Sequence, residues 1–231
     1  MIGAPLPQPR RLARPGTLLH GEELGTGPTF LLLHAGGERR QVWAPVNELL
    51  TNAGFRCVAY DQRGHGDSEG TARTLAACAD DVAAMLHAEP PGSIVVGASL
   101  GGLAAVAALA DPAVRGRVSG LVLVDVVPCL EPPRVRRFLA ASSLNDAYTD
   151  LVNDILAHVP QLRQITAELD LPILLIHGDN GSSITAEDID ELLRLSPETT
   201  IRTVHDAGHL IAREQPVPLA HAIITATADW R

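Results

Sequence analysis

The stretch VVGASLGG, residues 95–102, decides the fold class of this sequence. It contains the pattern G-x-S-x-G, with Ser99 between Gly97 and Gly101, after an apolar run and before a segment rich in small residues. In that setting the pattern predicts a sharp strand-to-helix turn that strains the serine and exposes its hydroxyl. Side chains two positions before and after the serine would collide with the neighbouring chain, which explains both glycines. Ser99 is therefore the candidate nucleophile.

A second glycine-rich turn follows the apolar run TFLLLH, residues 29–34. A serine that attacks a carbonyl group needs backbone N–H donors for the oxyanion that forms. We expect one donor from Leu100, at the start of the helix after Ser99, and the other from Gly36, with Gly37 adjacent. We interpret His34, which precedes this turn, as a structural hydrogen-bonding residue.

The stretch HDAGHLIAREQP, residues 205–216, holds two histidines after the last predicted strand. His209 follows a glycine in a turn before the final helix, and it is the candidate general base. His205 lies at the end of the strand and is interpreted as structural. The histidines show no metal-ligand spacing, so we expect neither a metal nor a cofactor.

The rest of the chain alternates between short apolar runs and longer helical patterns. The predicted strands are 29–34, 56–60, 93–97, 120–125, 172–177 and 200–204, preceded by an edge or hairpin strand at 16–24. The predicted helices are 42–53, 74–88, 99–110, 186–195 and 215–228. This alternation predicts an α/β fold with a mostly parallel, doubly wound sheet whose strands are covered on both faces.

Two segments depart from this alternation. Residues 128–170 are too long for one crossover helix, and they predict a small helical cap insertion, although two ordinary surface helices would also fit. Residues 1–15 are rich in arginine and proline, which is typical of an arm rather than an inner strand. We expect a single domain over residues 1–231, with the cap at about 128–170.

The stretch YDQRGHGDS, residues 60–68, crowds charged residues and glycines into one tight turn. Asp61, Arg63 and Asp67 would be candidates for a site, but opposite charges in so short a turn more often hold a loop together. We therefore assign this stretch to the architecture of the loop.

Composition narrows the classes of function. The chain has 231 residues and a formal net charge of −9, which argues against a nucleic-acid partner. All 18 basic residues are arginine, so mechanisms that require a lysine are excluded. The three cysteines show no paired spacing, which favours a reducing compartment, and we expect a cytoplasmic protein with no membrane partner. Composition does not predict the oligomeric state.

The stretches HAGG, DQRGHGDS, GASLGG, LVLVDVVP and DAGH, in this order, resemble those of the α/β-hydrolase superfamily. The resemblance covers roughly residues 16–130 and 170–230. It implies Ser99 as the nucleophile, His209 as the base, and Leu100 with Gly36 or Gly37 as the oxyanion donors. The sequence departs from the family in its short cap and at the position of the catalytic acid.

The family's acid usually follows the strand that is PILLIH here, three or four residues after its first glycine, where this chain has Gly181 and Ser182. Two candidates keep the chain order Ser, Asp, His. Asp179 lies in that turn but only one residue past Gly178, whereas Asp125 ends the neighbouring apolar strand. We prefer Asp125, because neighbouring strands are only about 4.8 Å apart and a buried carboxylate needs a partner. Two alternatives stay open: Asp179 is the acid, or the chain has no catalytic acid.

The favoured function is a serine hydrolase of a carboxylic ester, a lactone or a related small-molecule acyl compound. The same serine and base could instead hydrolyse a carbon–carbon bond or transfer an acyl group, and the fold could also serve as a non-catalytic ligand-binding protein. From position in the fold, we expect an apolar acyl pocket lined by Leu100, Val127, Leu130 and Leu210. We expect Arg39 and Arg40 to face its entrance.

Overall fold

The structure is a computed structural model that describes residues 6–141 and 148–230. Its strands form one sheet in the order β1-β2-β4-β3-β5-β6-β7-β8. They are β1 (Gln8–Arg14), β2 (Thr17–Gly25), β3 (Thr29–Leu33), β4 (Arg56–Tyr60), β5 (Ser93–Ala98), β6 (Val118–Val124), β7 (Ile173–Gly178) and β8 (Thr200–Val204). Strand β2 pairs antiparallel with β1 and β4, and the remaining neighbours are parallel. The mostly parallel α/β sheet is thus confirmed.

Helices cover both faces of this sheet. They are α1 (Ala44–Asn52), α2 (Leu75–His87), α3 (Leu100–Ala108), α4 (Pro112–Arg115), α5 (Pro132–Ala141), α6 (Thr149–Ala157), α7 (Val159–Ala167), α8 (Ala186–Leu195), α9 (Ile211–Glu214) and α10 (Pro216–Ala226), with a 3-10 turn at Arg40–Trp43. Alternate residues of each inner strand enter two separate hydrophobic clusters, one with α2 and α3 and the other with α1 and α10. Strands buried on both faces are continuously apolar, which is why their pattern was legible in the sequence.

The N-terminal segment differs from the expected arm. Residues 8–14 form β1, which pairs along its length with β2 at the edge of the sheet. Pro9 is compatible with this position, because an edge strand leaves some of its N–H groups outside the ladder. The prediction that this segment is not an inner strand holds, but its pairing was not foreseen.

The segment between β6 and β7 contains α5, α6 and α7 among its described residues. Arg134 and Val135 of α5 and Leu151, Val152 and Ile155 of α6 line a cavity above the strand ends. This helical insertion agrees with the expected fold class. The assignment of the chain to a single domain with a cap at about 128–170 stays a prediction.

Candidate active site

Ser99 lies in the turn between β5 and α3. Its backbone has φ 47° and ψ −114°, a conformation that L residues rarely adopt. Strain of this kind persists only where the surrounding structure enforces it, and here β5 and α3 do so on either side. The turn places Ser99 at the wall of the cavity, directly before the N-terminus of α3.

The glycines around Ser99 are required by close backbone approaches. A Cβ atom at Gly97 would lie 2.5 Å from the Cα atom of Gly102, and a Cβ atom at Gly101 would lie 2.6 Å from the Cβ atom of Leu33. Both distances are shorter than real Cβ contacts, so a side chain at either position would displace the turn. The steric reason given for the G-x-S-x-G spacing is therefore present in the structure.

The turn after β3 lies beside the start of α3. The N–H of Glu38 donates to the carbonyl oxygen of Ala35 at 3.1 Å, and Gly37 has φ 79°, where a side chain would be strained. A Cβ atom at Gly36 would lie 3.9 Å from the Cβ atom of Leu100. Gly36, Gly37 and Leu100 thus line the same cavity as Ser99, from two different elements.

Asp125 immediately follows β6 and is fully buried, with φ 49°. Its Oδ2 atom lies 2.9 Å from Nδ1 of His209. Its Oδ1 atom accepts from the N–H of Gly178 at 3.1 Å and from the hydroxyl of Ser182 at 2.6 Å. A buried carboxylate is costly unless it is hydrogen-bonded, and these three partners supply the bonds.

His209 lies in the loop between β8 and α9, and two contacts hold that loop over the strand ends. A Cβ atom at Gly178 would lie 2.1 Å from the carbonyl oxygen of Ala207, so only glycine lets the loop approach β7 this closely. The carboxylate of Glu214 accepts from the N–H of Gly208 at 2.5 Å. As a result His209 lines the same cavity as Ser99 and Asp125.

Asp179, the alternative acid, is engaged elsewhere. Its Oδ2 atom lies 2.6 Å from Nδ1 of His205, and its Oδ1 atom accepts from the N–H of Asp206 at 2.8 Å. The bond from His205 lowers the pKa of Asp179 below its ordinary value. Both side chains are on the surface, at 39% and 82% exposure, and neither lines the cavity. The structural role of His205 stays a prediction.

The cavity has a volume of about 460 Å³, which suits a small-molecule ligand. Its lining includes all four residues expected to form the acyl pocket, Leu100, Val127, Leu130 and Leu210. Further apolar walls come from the helices that follow Ser99 and β6, including Leu103, Val135, Leu151, Val152 and Ile155. The arrangement places a serine hydroxyl, an imidazole and a carboxylate in the lining of one largely apolar cavity.

Sequence reasoning missed a second charged pair in this wall. Glu38 is buried next to the glycine turn, and its Oε1 atom lies 3.1 Å from NH2 of Arg213 in α9. Burial raises the pKa of the Glu38 carboxyl group, and the positive charge of Arg213 opposes that rise. The pair links the turn after β3 to the segment that carries His209. The position of Glu38 directly after two glycines was the signal in the sequence that could have identified this pair.

Ser182 is the other functional candidate that sequence reasoning missed. It stands where the family's acid was expected, and its hydroxyl donates to Asp125 instead. The same hydroxyl oxygen accepts from the N–H of Ile184 at 3.0 Å, which fixes its orientation. The absence of a carboxylate at the position where the family usually has its acid was the signal that could have drawn attention to Ser182.

The charged residues of the turn at 60–68 pair with other segments rather than with one another: Asp61 and Asp67 bond Arg40, and Arg63 bonds Asp81 of α2. Asp61 is fully buried, bonds the backbone and side chain of Arg40, and accepts from the N–H of Asp67 at 2.9 Å. Arg40 also pairs with Asp67 at 2.8 Å, so the expectation that it faces the cavity entrance is wrong. Arg39 is exposed and does not line the cavity.

His34 anchors the turn after β3. Its Nε2 atom accepts from the N–H of Gln62 at 3.0 Å, and its Nδ1 atom lies 2.8 Å from the carbonyl oxygen of Ala35. Burial lowers the pKa of His34 to about 4, so it is neutral at pH 7. This geometry fits the structural interpretation.

Residues 6–141 and 148–230 contain no group of three or more histidine, cysteine, aspartate or glutamate residues arranged to hold a metal ion. No helix in these ranges has the length and apolar composition needed to cross a membrane.

The chain resembles known proteins over most of its length. It is 31% identical over 240 residues to a pimeloyl-[acyl-carrier protein] methyl ester esterase from Serratia marcescens, covering 84% of this chain and 91% of that protein. A protein of the same name from Shewanella sp. (strain MR-7) is 35% identical, but over only 112 residues, 48% of this chain and 39% of the relative. The structure matches that of a thermophilic esterase from Thermogutta terrifontis with a TM-score of 0.75 and 26% identity, covering 96% and 99% of the two chains.

The model of the α/β-hydrolase fold family matches residues 28–164. That range extends from β3 through the turn at Ser99 and into α7, and it covers more than half of the chain. Together with the relatives just described, this match shows that the chain belongs to the α/β-hydrolase family.

Proposed function

We propose that this enzyme is a serine hydrolase that cleaves a carboxylic ester, a lactone or a related small-molecule acyl compound. The observation that carries the proposal is the bond of 2.9 Å between Asp125 Oδ2 and His209 Nδ1. It lies at the wall of an apolar cavity that Ser99 also lines. A nucleophile, a base and a carboxylate that orients the base are the components of this chemistry.

In the proposed mechanism the Ser99 hydroxyl attacks the acyl carbon while His209 Nε2 takes the hydroxyl proton. The N–H groups of Leu100 and of Gly36 or Gly37 stabilise the oxyanion of the tetrahedral intermediate. Collapse of the intermediate breaks the bond to the leaving group, which receives the proton from His209. Water, deprotonated by the same imidazole, then attacks the acyl-enzyme and releases the acid.

Asp125 selects the tautomer of His209. Its Oδ2 atom accepts the Nδ1 proton, which leaves the lone pair of Nε2 available for the Ser99 proton. The bonds from Gly178 and Ser182 hold the other carboxylate oxygen, so the carboxylate cannot rotate away without losing them.

The names of two of the relatives support an ester of a simple alcohol as the substrate, because those proteins are described as methyl ester esterases. The apolar lining and volume of the cavity support an acyl chain of moderate length. Cys57, Cys78 and Cys129 are buried and unpaired, which supports the cytoplasm as the compartment.

Covalent labelling and turnover test this proposal together. We expect a fluorophosphonate probe to label the wild-type protein and the Ser119→Ala variant, whose Ser119 hydroxyl bonds only the backbone of Gly92 at the surface. We expect Ser99→Ala to lose both labelling and the hydrolysis of an activated short-chain ester. Full turnover in the Ser99→Ala variant would contradict the proposal. Product analysis in the presence of an added alcohol separates hydrolysis, which yields the free acid, from acyl transfer.

A further inference from the structure

The cavity is lined by more carboxylates than cations. Among the described residues, five acidic side chains and two arginines border it: Glu38, Asp125, Glu131, Asp188, Glu214, Arg134 and Arg213. Among the described residues of this lining, His209 is the only other side chain that can carry a positive charge. Even with Glu38 protonated and His209 charged, the carboxylates outnumber the cations.

Both arginines already have a carboxylate partner. Arg134 of α5 pairs with Glu131 at 3.0 Å and with Asp188, a residue of the capping box of α8. Arg213 pairs with Glu38, and 63% of its side chain is exposed. A substrate carboxylate at either guanidinium group would share that group with a protein carboxylate.

Residues 138–147, FLAASSLNDA, whose side chains lie outside the described part of the structure, contain one aspartate and neither arginine nor lysine. The sequence of this segment therefore adds no basic residue.

Like charges brought together in a region of reduced dielectric repel more strongly than in water. An acyl chain with a free carboxylate would enter the cavity against this repulsion, and both lining arginines already have a carboxylate partner. An uncharged chain would not meet this repulsion and could pack against the apolar walls.

We propose that the cavity selects esters with an uncharged, mainly apolar acyl chain and discriminates against acyl chains that carry a free carboxylate. This inference rests on the proposed ester hydrolase function and adds the chemical class of its substrate. It makes Glu131 and the other lining carboxylates determinants of specificity.

Four p-nitrophenyl esters with a six-carbon acyl chain test the proposal. They are the hexanoate, the mono-ester of adipate with a free terminal carboxylate, the same adipate with its terminal carboxylate methylated, and the 6-aminohexanoate with a terminal ammonium group. The methylated and free adipates differ at one end only, by a negative charge and one methyl group. We expect kcat/KM to be about tenfold higher for the methylated adipate, mainly through KM, with the ammonium ester hydrolysed faster than the free adipate.

Salt and a matched pair of variants locate the source of the discrimination. We expect the ratio between the two adipates to shrink as ionic strength rises, because salt screens the repulsion. Glu131→Gln, which removes a carboxylate from the lining and leaves Arg134 paired with Asp188, should reduce the ratio about threefold. Glu198→Gln makes the same change in net charge at an exposed residue outside the cavity and should leave the ratio unchanged.

The outcomes separate this inference from the proposed function. Hydrolysis of all four esters at rates within threefold of one another would overturn the charge selection and leave the hydrolase function standing. A ratio that Glu198→Gln reduces as much as Glu131→Gln does would overturn the cavity as its source. Absence of turnover with every ester, and of labelling at Ser99, would instead contradict the proposed function.

Discussion

Two aspartate–histidine pairs lie at the same end of the sheet, after neighbouring strands, and they differ in almost everything except their chemistry. Asp125 and His209 are 0% and 16% exposed, whereas Asp179 and His205 are 39% and 82% exposed. The exposed pair has the shorter contact, 2.6 Å against 2.9 Å. The length of a hydrogen bond therefore does not distinguish a site from a surface contact.

The buried pair differs in its surroundings. Asp125 accepts two further bonds, from Gly178 and Ser182, while its histidine lines a cavity that also contains Ser99. Asp179 bonds a histidine that faces solvent. An exposed pair contributes little to the stability of the fold because water competes for both partners. A buried carboxylate keeps one geometry. Burial and a shared cavity are the features that carry a functional interpretation.

The largest expected difference between the two pairs concerns their acids. We expect Asp125→Asn to lower kcat by about 10⁴, as the corresponding change does in serine proteases, because an asparagine favours the wrong tautomer of the base. Asp179→Asn should change kcat by less than about threefold. Steady-state kinetics with the methylated adipate ester measure both variants. The reverse ranking would assign the acid to Asp179.

The second prediction concerns a variant whose acid is at position 182, where the family usually has it. Because the Ser182 hydroxyl lies 2.6 Å from Asp125 Oδ1, a carboxylate at position 182 enters the same region as that of Asp125. We expect Ser182→Asp to raise the kcat of the Asp125→Asn variant about a hundredfold, a partial recovery. Ser183→Asp in the same background is the neighbouring control and should not restore activity. Recovery with Ser183→Asp alone would contradict the geometry.

The third prediction concerns the hydroxyl of Ser182 itself. Ser182→Ala removes a charge-assisted hydrogen bond from Asp125, and we expect kcat to fall about tenfold while KM changes little. Ser182→Thr keeps the hydroxyl and should retain most of the activity. The effect should disappear in the Asp125→Asn background, because Ser182 acts through Asp125. A fall of the same size in that background would indicate a structural role only.

The smallest expected effect is on the stability contributed by the surface pair. His205 lowers the pKa of Asp179, so its stabilising effect is present above about pH 4 and is lost as the pH falls through the depressed folded-state pKa. We expect Asp179→Asn to lower Tm by less than about 2 °C at pH 7, and the difference from the wild type to narrow at pH 3. Asp190→Asn, at an exposed residue of α8, provides the control. A difference that grows at pH 3 would contradict this sign.

Much of the fold was legible because the inner strands are apolar on both faces and the helices between them are bounded by glycine and proline. The predicted bounds of β4, β8 and α8 match the structure to the residue, and most others differ at their ends by one or two residues. Strand β1 was missed because its pattern is polar and its pairing with β2 depends on the neighbouring chain. Helix α7, Val159–Ala167, was not among the predicted helices either.

By itself the sequence determined the α/β sheet, the strained turn at Ser99 and the glycine turn after β3, because each depends on residues that are close together in the chain. The partner of each histidine was decided only by the tertiary structure. Asp125 and His209 are 84 residues apart, and their contact requires β6, β7 and the loop after β8 to be assembled first. Asp179 is closer in sequence to His209 than Asp125 is, but its side chain bonds His205 and the N–H of Asp206 at the surface. The apolar pattern of β6 indicated that Asp125 is buried, but its bond to His209 depends on the packing of three strand ends, which no local pattern of residues encodes.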